Sequence, residues 1–337
     1  RHYTRISSIQ NLPFGRVIEN SSMGYYLFDI YAWLINYLRL PKEFFPASIV
    51  FASYYLVLSV YNDIKVRFLQ NCKPIYIIII FLAFWLSIGY VGLLSGLRNP
   101  FANIIIFYLS YKLFLHDRLP LFILGSVFAF FIHPFVAAPA ILVLIAYKLS
   151  RWSNRSKILI IIGLLLTFST QAISLGIEYI SSFLIRFSFY SAAYFDESSD
   201  VGGSSIESKT LNGLIINVVL PRFTVFMAQL YLLSLKPKQN DPWYFLLATM
   251  SIYLGFFASY AVLYGRMASF FLFVFTAYIS LKQVGFGNTI NRFIFIVYVG
   301  LLILISLIAI LIQYSGFIGS SFPEAVIKPV LFILFDL

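Results

Sequence analysis

The chain has 337 residues, of which 61% are apolar and only 11% are charged, and its mean hydropathy is +0.88. Soluble domains are about 45–50% apolar and about 25% charged, and disordered chains are less apolar still, so both classes are excluded. A polytopic membrane protein remains, with room for about ten spans of roughly 20 residues. The 24 basic residues exceed the 13 acidic ones by 11. In a membrane protein this excess indicates orientation rather than a nucleic-acid partner.

Near the N-terminus, residues 25–40 form a short amphipathic stretch, typical of a helix that lies in one membrane interface. Residue 1 is Arg, so we expect the numbering to begin inside a longer gene product, with a first span preceding it. A short apolar run at 330–335 would begin an eleventh element. Ten apolar runs lie between the amphipathic stretch and this last run. They predict spans at 44–62, 75–94, 101–115, 119–133, 135–149, 158–177, 218–235, 243–264, 267–281 and 293–313.

Basic residues concentrate in alternate connections between these spans. If the turn after the first span faces the cytoplasm, the five inner loops hold only three acids, Asp63, Asp117 and Asp241. Cations accumulate in cytoplasmic loops, so this orientation is favoured. The basic residues of these loops are Lys65, Arg67, Lys73, Lys112, Arg118, Lys148, Arg151, Arg155, Lys157, Lys236, Lys238, Lys282 and Arg292.

The same topology predicts a single all-α transmembrane domain over residues 1–337, with residues 1–43 on the outer face. The longest connection, about 178–213, would then be an outer loop. It contains an acidic, Gly- and Ser-rich stretch, which suits either a functional lid or a flexible connector.

Four polar residues remain at the predicted outer ends of spans: Arg98, His133, Arg222 and Arg266. They come from four separate parts of the chain, as a site assembled between helices would require. Several of the adjoining runs have about 15 residues, which cover about 22 Å of a roughly 30 Å bilayer core. Charge held below the bilayer surface is costly unless it is paired or faces water. The sequence therefore predicts short spans around an outward-facing cationic cavity.

Several arginines at membrane depth suit a lipid-linked phosphate or pyrophosphate, bound through charge-assisted hydrogen bonds. Other interpretations stay open, since arginines at helix ends could instead reach phospholipid headgroups, and His133 could be a hydrogen-bonded bundle residue. Tyr264 could stack on sugars or belong to the interfacial aromatic belt. We find no nucleotide-phosphate loop and no metal-binding cluster, so we expect neither a cofactor nor a metal ion.

Short motifs resemble those of a known family. The Gly96–Ala102 stretch, the His116–Arg118 turn and the Phe131–Pro134 end of the following span resemble the EpsG-type members of the O-antigen and exopolysaccharide polymerase (Wzy) group. In that family an arginine-led helix precedes a span that closes on a histidine. The Tyr264–Phe270 segment and the amphipathic Glu19–Leu34 segment are similar to further parts of the family. The proline after the histidine departs from the family, which has a small or polar residue there.

The resemblance implies a glycosyltransferase that polymerises undecaprenyl-pyrophosphate-linked repeat units on the outer face of the bacterial inner membrane. An acceptor hydroxyl would attack C1 of the donor chain, and the lipid pyrophosphate would leave. Arg98 and Arg266 would hold that pyrophosphate, while His133 would orient or deprotonate the hydroxyl or donate to the pyrophosphate. Membrane lipids and a chain-length regulator are further candidate partners. The residues predicted to bind the substrate are Arg222, Tyr264 and Asn99.

Three alternatives use the same residues differently. An O-antigen ligase would use the same donor with a lipid A core acceptor, and the outer loop of about 35 residues favours the polymerase only weakly. A lipid-linked oligosaccharide flippase or transporter would need an internal repeat, of which the sequence has a faint echo at most. A lipid acyltransferase built on His133 would need a His-x4-Asp arrangement, which the sequence lacks at this histidine.

Overall fold

The computed structural model describes residues 12–21, 26–70, 72–88, 97–168, 220–258, 260–282 and 295–304, with the single residues 9, 293, 306 and 307. Within these ranges the secondary structure is helical, without a strand. The predicted long loop at 178–213 and the run at 330–335 lie outside the described residues. The helices are α1 (Phe14–Glu19), α2 (Tyr26–Tyr37), α3 (Phe44–Phe68), α4 (Pro74–Ser87), α5 (Arg98–His116), α6 (Leu119–Ile132), α7 (Ala137–Leu149), α8 (Lys157–Phe168), α9 (Leu220–Ser234), α10 (Pro242–Phe256), α11 (Ala261–Lys282) and α12 (Phe295–Leu304).

Each predicted span overlaps one of the helices α3 to α12, but the helices differ from the spans in their ends and lengths. Three helical stretches in the described part are long and apolar enough to cross a membrane: Phe44–Phe68, Pro134–Arg155 and Leu263–Lys282. Five other apolar helices have only 10–17 residues. An all-helical membrane architecture is therefore supported, while the number of ten or eleven spans stays a prediction.

Prolines and acidic caps set several helix ends. Pro74 and Pro242 lie in the first turns of α4 and α10. A proline is tolerated there because backbone N–H groups of the first turn make no hydrogen bond within the helix, so its missing N–H costs none. Asp241 caps α10 by accepting a hydrogen bond from the Tyr244 N–H at 3.3 Å. At the other end of a helix, Asp117 adopts a left-handed conformation with φ 54°, which ends α5.

Helix α11 lies at the centre of the described bundle. It packs against α3, α4, α5, α9 and α10, and 83% of its apolar window is buried, against 28% for α3. Helix α10 joins this centre to α7 and α8, while α2 covers α3 and α6. The residues at the start of α11 are therefore held among several helices rather than on the lipid-facing surface.

Glycines allow α8 and α10 to cross in very close contact. A Cβ atom on Gly163 would lie 2.3 Å from the Ser251 carbonyl oxygen, and one on Gly255 would lie 2.4 Å from the Gly163 carbonyl oxygen. Neither distance is possible between real atoms, so both positions require glycine in this packing. Close backbone approach at small residues is a common way of packing helices in membranes.

The three acids of the predicted inner loops all make contacts at one end of the bundle. Asp63 accepts a hydrogen bond from the Tyr111 hydroxyl at 2.6 Å, and Asp241 pairs with Lys282 at 2.9 Å. The third acid, Asp117, accepts from a tyrosine of α7. Arg98, at the opposite end of α5, is about 27 Å away along the helix axis.

Candidate functional site

His133 lies between α6 and a short 3-10 turn, Pro134–Val136. The residue before a proline is driven away from the helical conformation, and His133 has φ −156° and ψ 117°. Pro134 therefore ends α6 at this histidine. The His133 Nδ1 atom accepts a hydrogen bond from the Phe135 backbone N–H at 3.2 Å, and the side chain is buried. The proline that departs from the family pattern thus sets the position of the imidazole.

This hydrogen bond also determines which imidazole nitrogen can donate. A nitrogen that accepts a hydrogen bond carries no proton, so a neutral ring must hold its proton on Nε2. Among the residues that the structure describes, none receives a hydrogen bond from the Nε2 atom of His133. The imidazole therefore presents an N–H donor to a ligand, while its basic nitrogen is occupied by the protein backbone.

Arg98 is the first residue of α5 and follows the buried Leu97. The helix starts three residues before the predicted boundary at 101, because Pro100 is tolerated in a first turn. The Cζ atom of Arg98 lies 5.9 Å from the centroid of the Phe28 ring on α2, a cation–π contact. Helix α5, which Arg98 begins, packs against α6 and the Pro134–Val136 turn, the two elements that flank His133.

Arg266 reaches the same histidine from α11. The predicted spans 243–264 and 267–281 divide the chain in the wrong place, because α10 ends at Phe256 and α11 begins at Ala261. Arg266 is therefore in the second turn, about 8 Å along the helix from its first residue. Its Cζ atom lies 5.7 Å from the ring centroid of Phe135, the residue whose backbone N–H donates to His133.

The observed helix lengths contradict part of the prediction that short spans hold the cationic residues below the membrane surface. The run beside His133 is as short as predicted in α6, which has 14 residues. However, α5 has 19 residues and α11 has 22, because each helix includes its arginine. Undersized spans therefore do not explain the positions of Arg98 and Arg266. Arg98 is placed by the first turn of α5 and Arg266 by the second turn of α11, two helices that pack together.

Asn103 is a polar residue of this region that the sequence reasoning missed. It is fully buried, and its Nδ2 atom donates to the Arg266 carbonyl oxygen at 3.2 Å. Only the amide nitrogen can donate to a carbonyl, so the Oδ1 atom must face the other way. That oxygen is buried without a hydrogen-bond partner, as is the Oδ1 of Asn99 one helical turn earlier. Asn103 lies inside an apolar run, four residues after Asn99. This spacing is the sequence signal that could have indicated Asn103 as a site residue.

Arg222 makes its contacts with the connection before α11 and with Tyr264 near the start of that helix. It donates from Nη2 to the Ala258 carbonyl, and its Cζ atom lies 5.4 Å from the centroid of the Tyr264 ring. Tyr264 is 5% exposed. It lies two residues before Arg266 on the same helix, so a rotation of about 200° about the helix axis separates the two side chains, and they point to nearly opposite sides. The structure thus brings Arg98, His133 and Arg266 together and places Arg222 with Tyr264 in a neighbouring pair.

Comparison with known proteins assigns the chain to one family. No curated protein and no solved structure matches the sequence. Within the described residues, no group of three or more His, Cys, Asp and Glu side chains could hold a metal ion. The sequence does match the EpsG family over residues 1–321, nearly its whole length, and the chain therefore belongs to the EpsG family.

Proposed function

We propose that this protein is a membrane glycosyltransferase that joins undecaprenyl-pyrophosphate-linked oligosaccharide repeat units into O-antigen or exopolysaccharide. Membership of the EpsG family and the apolar helices support a membrane protein of polysaccharide biosynthesis. The observation that carries the finer proposal is the position of two arginines around the segment that holds one buried histidine. Arg266 lies over the ring of Phe135, whose N–H donates to His133, and Arg98 begins the helix packed against that segment. We further propose that this site faces the outside of the bacterial inner membrane, where lipid-linked repeat units would arrive.

Arg98 and Arg266 would bind the pyrophosphate of the donor. Guanidinium groups match phosphate oxygens bidentately and stay charged at every physiological pH. As the acceptor hydroxyl attacks C1, the bond from C1 to the pyrophosphate oxygen breaks and its electron pair leaves with the phosphate. Two fixed cations stabilise this growing negative charge more than they stabilise the ground state, which lowers the barrier.

His133 would act as a hydrogen-bond donor rather than as a base. Its Nδ1 atom already accepts from the Phe135 N–H, so Nε2–H is the group available to the substrate. We place that donor on an oxygen of the departing pyrophosphate, where it adds to the two guanidinium groups. The proton of the attacking hydroxyl would then pass to the pyrophosphate or to water.

The buried amide oxygens of Asn99 and Asn103 would complete the site as acceptors. A site made only of cations and N–H donors recognises phosphate, but sugar hydroxyls also need acceptors. Buried polar atoms are nearly always paired in native proteins, so two unpaired amide oxygens next to the arginines favour a hydroxyl-bearing ligand. Arg222 and Tyr264 would bind the glycan further from the reacting bond.

The decisive experiment is reconstitution. The purified protein in liposomes receives an undecaprenyl-pyrophosphate-linked repeat unit without nucleotide or metal, and the products are separated on a gel. We expect a ladder of polymer that disappears in Arg98→Ala, whereas Arg16→Ala, a change at an exposed arginine of α1, leaves it intact. A ladder of equal intensity in Arg98→Ala contradicts the proposed site.

Two further measurements on the same liposomes separate the polymerase from a ligase and from a flippase. Transfer of a single unit to lipid A core, without a ladder, would indicate a ligase. Movement of the lipid-linked unit across the bilayer, without any glycosidic product, would indicate a flippase. Either result would replace the polymerase proposal.

A further inference from the structure

An apolar groove lies between α2, α3, α5 and α6. Its volume is about 350 Å³, within the range of ligand pockets, which is roughly 300–1,000 Å³. Among the described residues of its wall, the side-chain hydroxyls are those of Tyr31 and Ser48, which hydrogen-bond to each other at 2.6 Å and leave the rest of that surface apolar. Phe128, on the same wall, is 50% exposed, so the groove is open to the surrounding lipid.

One end of this groove meets the cationic site. Phe28 lines the groove, and its ring also lies 5.9 Å from the Cζ atom of Arg98. Ile132 lines the groove and directly precedes His133, while Phe101 lines it one turn after Arg98 on α5. A single ligand could therefore have its apolar part in the groove and its anionic part among Arg98, His133 and Arg266.

We propose that this groove binds the first isoprene units of a polyprenyl chain whose pyrophosphate is held by Arg98 and Arg266. This inference rests on the proposed function and names the part of the substrate that the cationic site does not bind. A lipid-linked pyrophosphate has its anion and its hydrocarbon joined by one bond, which matches an apolar groove that ends at a guanidinium. Burial of the chain contributes roughly 25 cal/mol per Å² of apolar surface removed from water.

The occupant is a polyprenyl chain rather than the acyl chain of a phospholipid. Phe28, Tyr31, Phe101 and Phe128 place aromatic rings among the aliphatic side chains of the groove, and this mixed apolar wall suits the flat double bonds and methyl branches of isoprene units. The two arginines at its end suit a pyrophosphate, which has more oxygens and more charge than a phosphodiester. Competition between the two lipids tests this choice directly.

The test is photocrosslinking with a polyprenyl pyrophosphate that carries a diazirine on its first isoprene units. The probe should label peptides of α2 and α3 in the whole protein, and unlabelled undecaprenyl pyrophosphate should compete while phosphatidylglycerol should not. Ala52, on the groove wall, is changed to Trp to fill the groove. The matched control is Ala47→Trp on the same helix, since Ala47 is exposed and lies outside the groove.

We expect Ala52→Trp to lower the labelling at least fivefold and Ala47→Trp to leave it unchanged, with both variants melting at the wild-type temperature. Equal labelling in both variants, or equal competition by phosphatidylglycerol, would overturn the proposal. If Ala52→Trp fails to fold, Ala52→Leu replaces it, with a smaller loss of labelling expected. Labelling needs no polymerisation, so a protein that binds the probe in the groove but makes no ladder refutes the proposed function alone.

Discussion

At the residue scale, the most informative side chain is His133, because a backbone hydrogen bond assigns its two nitrogens different roles. Its Nδ1 atom accepts from the Phe135 N–H, and Pro134 holds the histidine in the extended conformation that this contact needs. The motif predicts His133 as a site residue. It does not predict the choice between base and donor, which depends on a hydrogen bond that no motif specifies.

Substitution by two amides can test the donor role. Glutamine places an NH₂ group near the position of Nε2, whereas asparagine places it near Nδ1. We expect His133→Gln to keep polymerase activity within about tenfold of wild type. His133→Asn and His133→Ala should lose on the order of 100-fold, as for the loss of one transition-state donor. Initial rates of ladder formation give the measurement, and equal losses in all three variants would indicate a base instead.

Asn103 offers a second test at this scale. Its side chain donates to the Arg266 carbonyl and so ties α5 to α11 beside the site. We expect Asn103→Leu to lower polymerase activity about 10- to 100-fold, because small displacements of a catalytic group are costly. The control is Ser110→Ala, a buried change on the same helix where the hydroxyl bonds only to the Ile106 carbonyl. Wild-type activity in Asn103→Leu would remove this residue from the site.

At the scale of elements, the helix types and their order were predictable from apolar runs, whereas their boundaries near the site were not. The run from 243 to 264 is apolar across the break between α10 and α11, so hydropathy alone cannot place it. Arg98 and Arg266 were predicted just outside their helices because charge interrupts an apolar run. Both are inside, since protein packing and aromatic rings surround them.

The crossing of α8 and α10 gives a prediction on stability. A methyl group on Gly163 would collide with the Ser251 carbonyl, while one on Gly265 would meet nothing within 4 Å. We therefore expect Gly163→Ala to destabilise the protein by about 1–3 kcal/mol. Gly265→Ala should stabilise it by about 0.5–1 kcal/mol, since alanine is the better helix former. Melting temperatures in detergent compare the two, and a shift in the same direction for both would contradict this packing.

At the scale of the whole molecule, orientation in the membrane is the prediction that matters most, and it comes from charge rather than from shape. The basic loops and the cationic site lie at opposite ends of α5, about 27 Å apart along its axis. The distribution of Lys and Arg predicts which end faces the cytoplasm.

Cysteine labelling can decide the orientation. Cys72 is the only cysteine, and Cys72→Ser gives a background in which single cysteines are introduced. A membrane-impermeant maleimide added to intact cells should label Lys42→Cys, an exposed position just before α3, and spare Lys236→Cys, an exposed position after α9. Both should react after the cells are opened. The reverse pattern on intact cells would place the arginine site at the cytoplasmic face.

The central position of α11 has a consequence for how the protein is made. Five of the helices packed on it, α3, α4, α5, α9 and α10, precede it in the chain, whereas α12 follows it and contacts it through Tyr298. A nascent chain emerges from its N-terminus. Helix α11 therefore enters the membrane after most of its surroundings have been synthesised, and its burial by protein lessens its need for lipid-facing apolar residues. Because Arg266 belongs to this helix, we expect the proposed pyrophosphate site to be completed late in biogenesis. A ribosome that stalls before residue 261 would then leave a membrane-embedded but inactive intermediate.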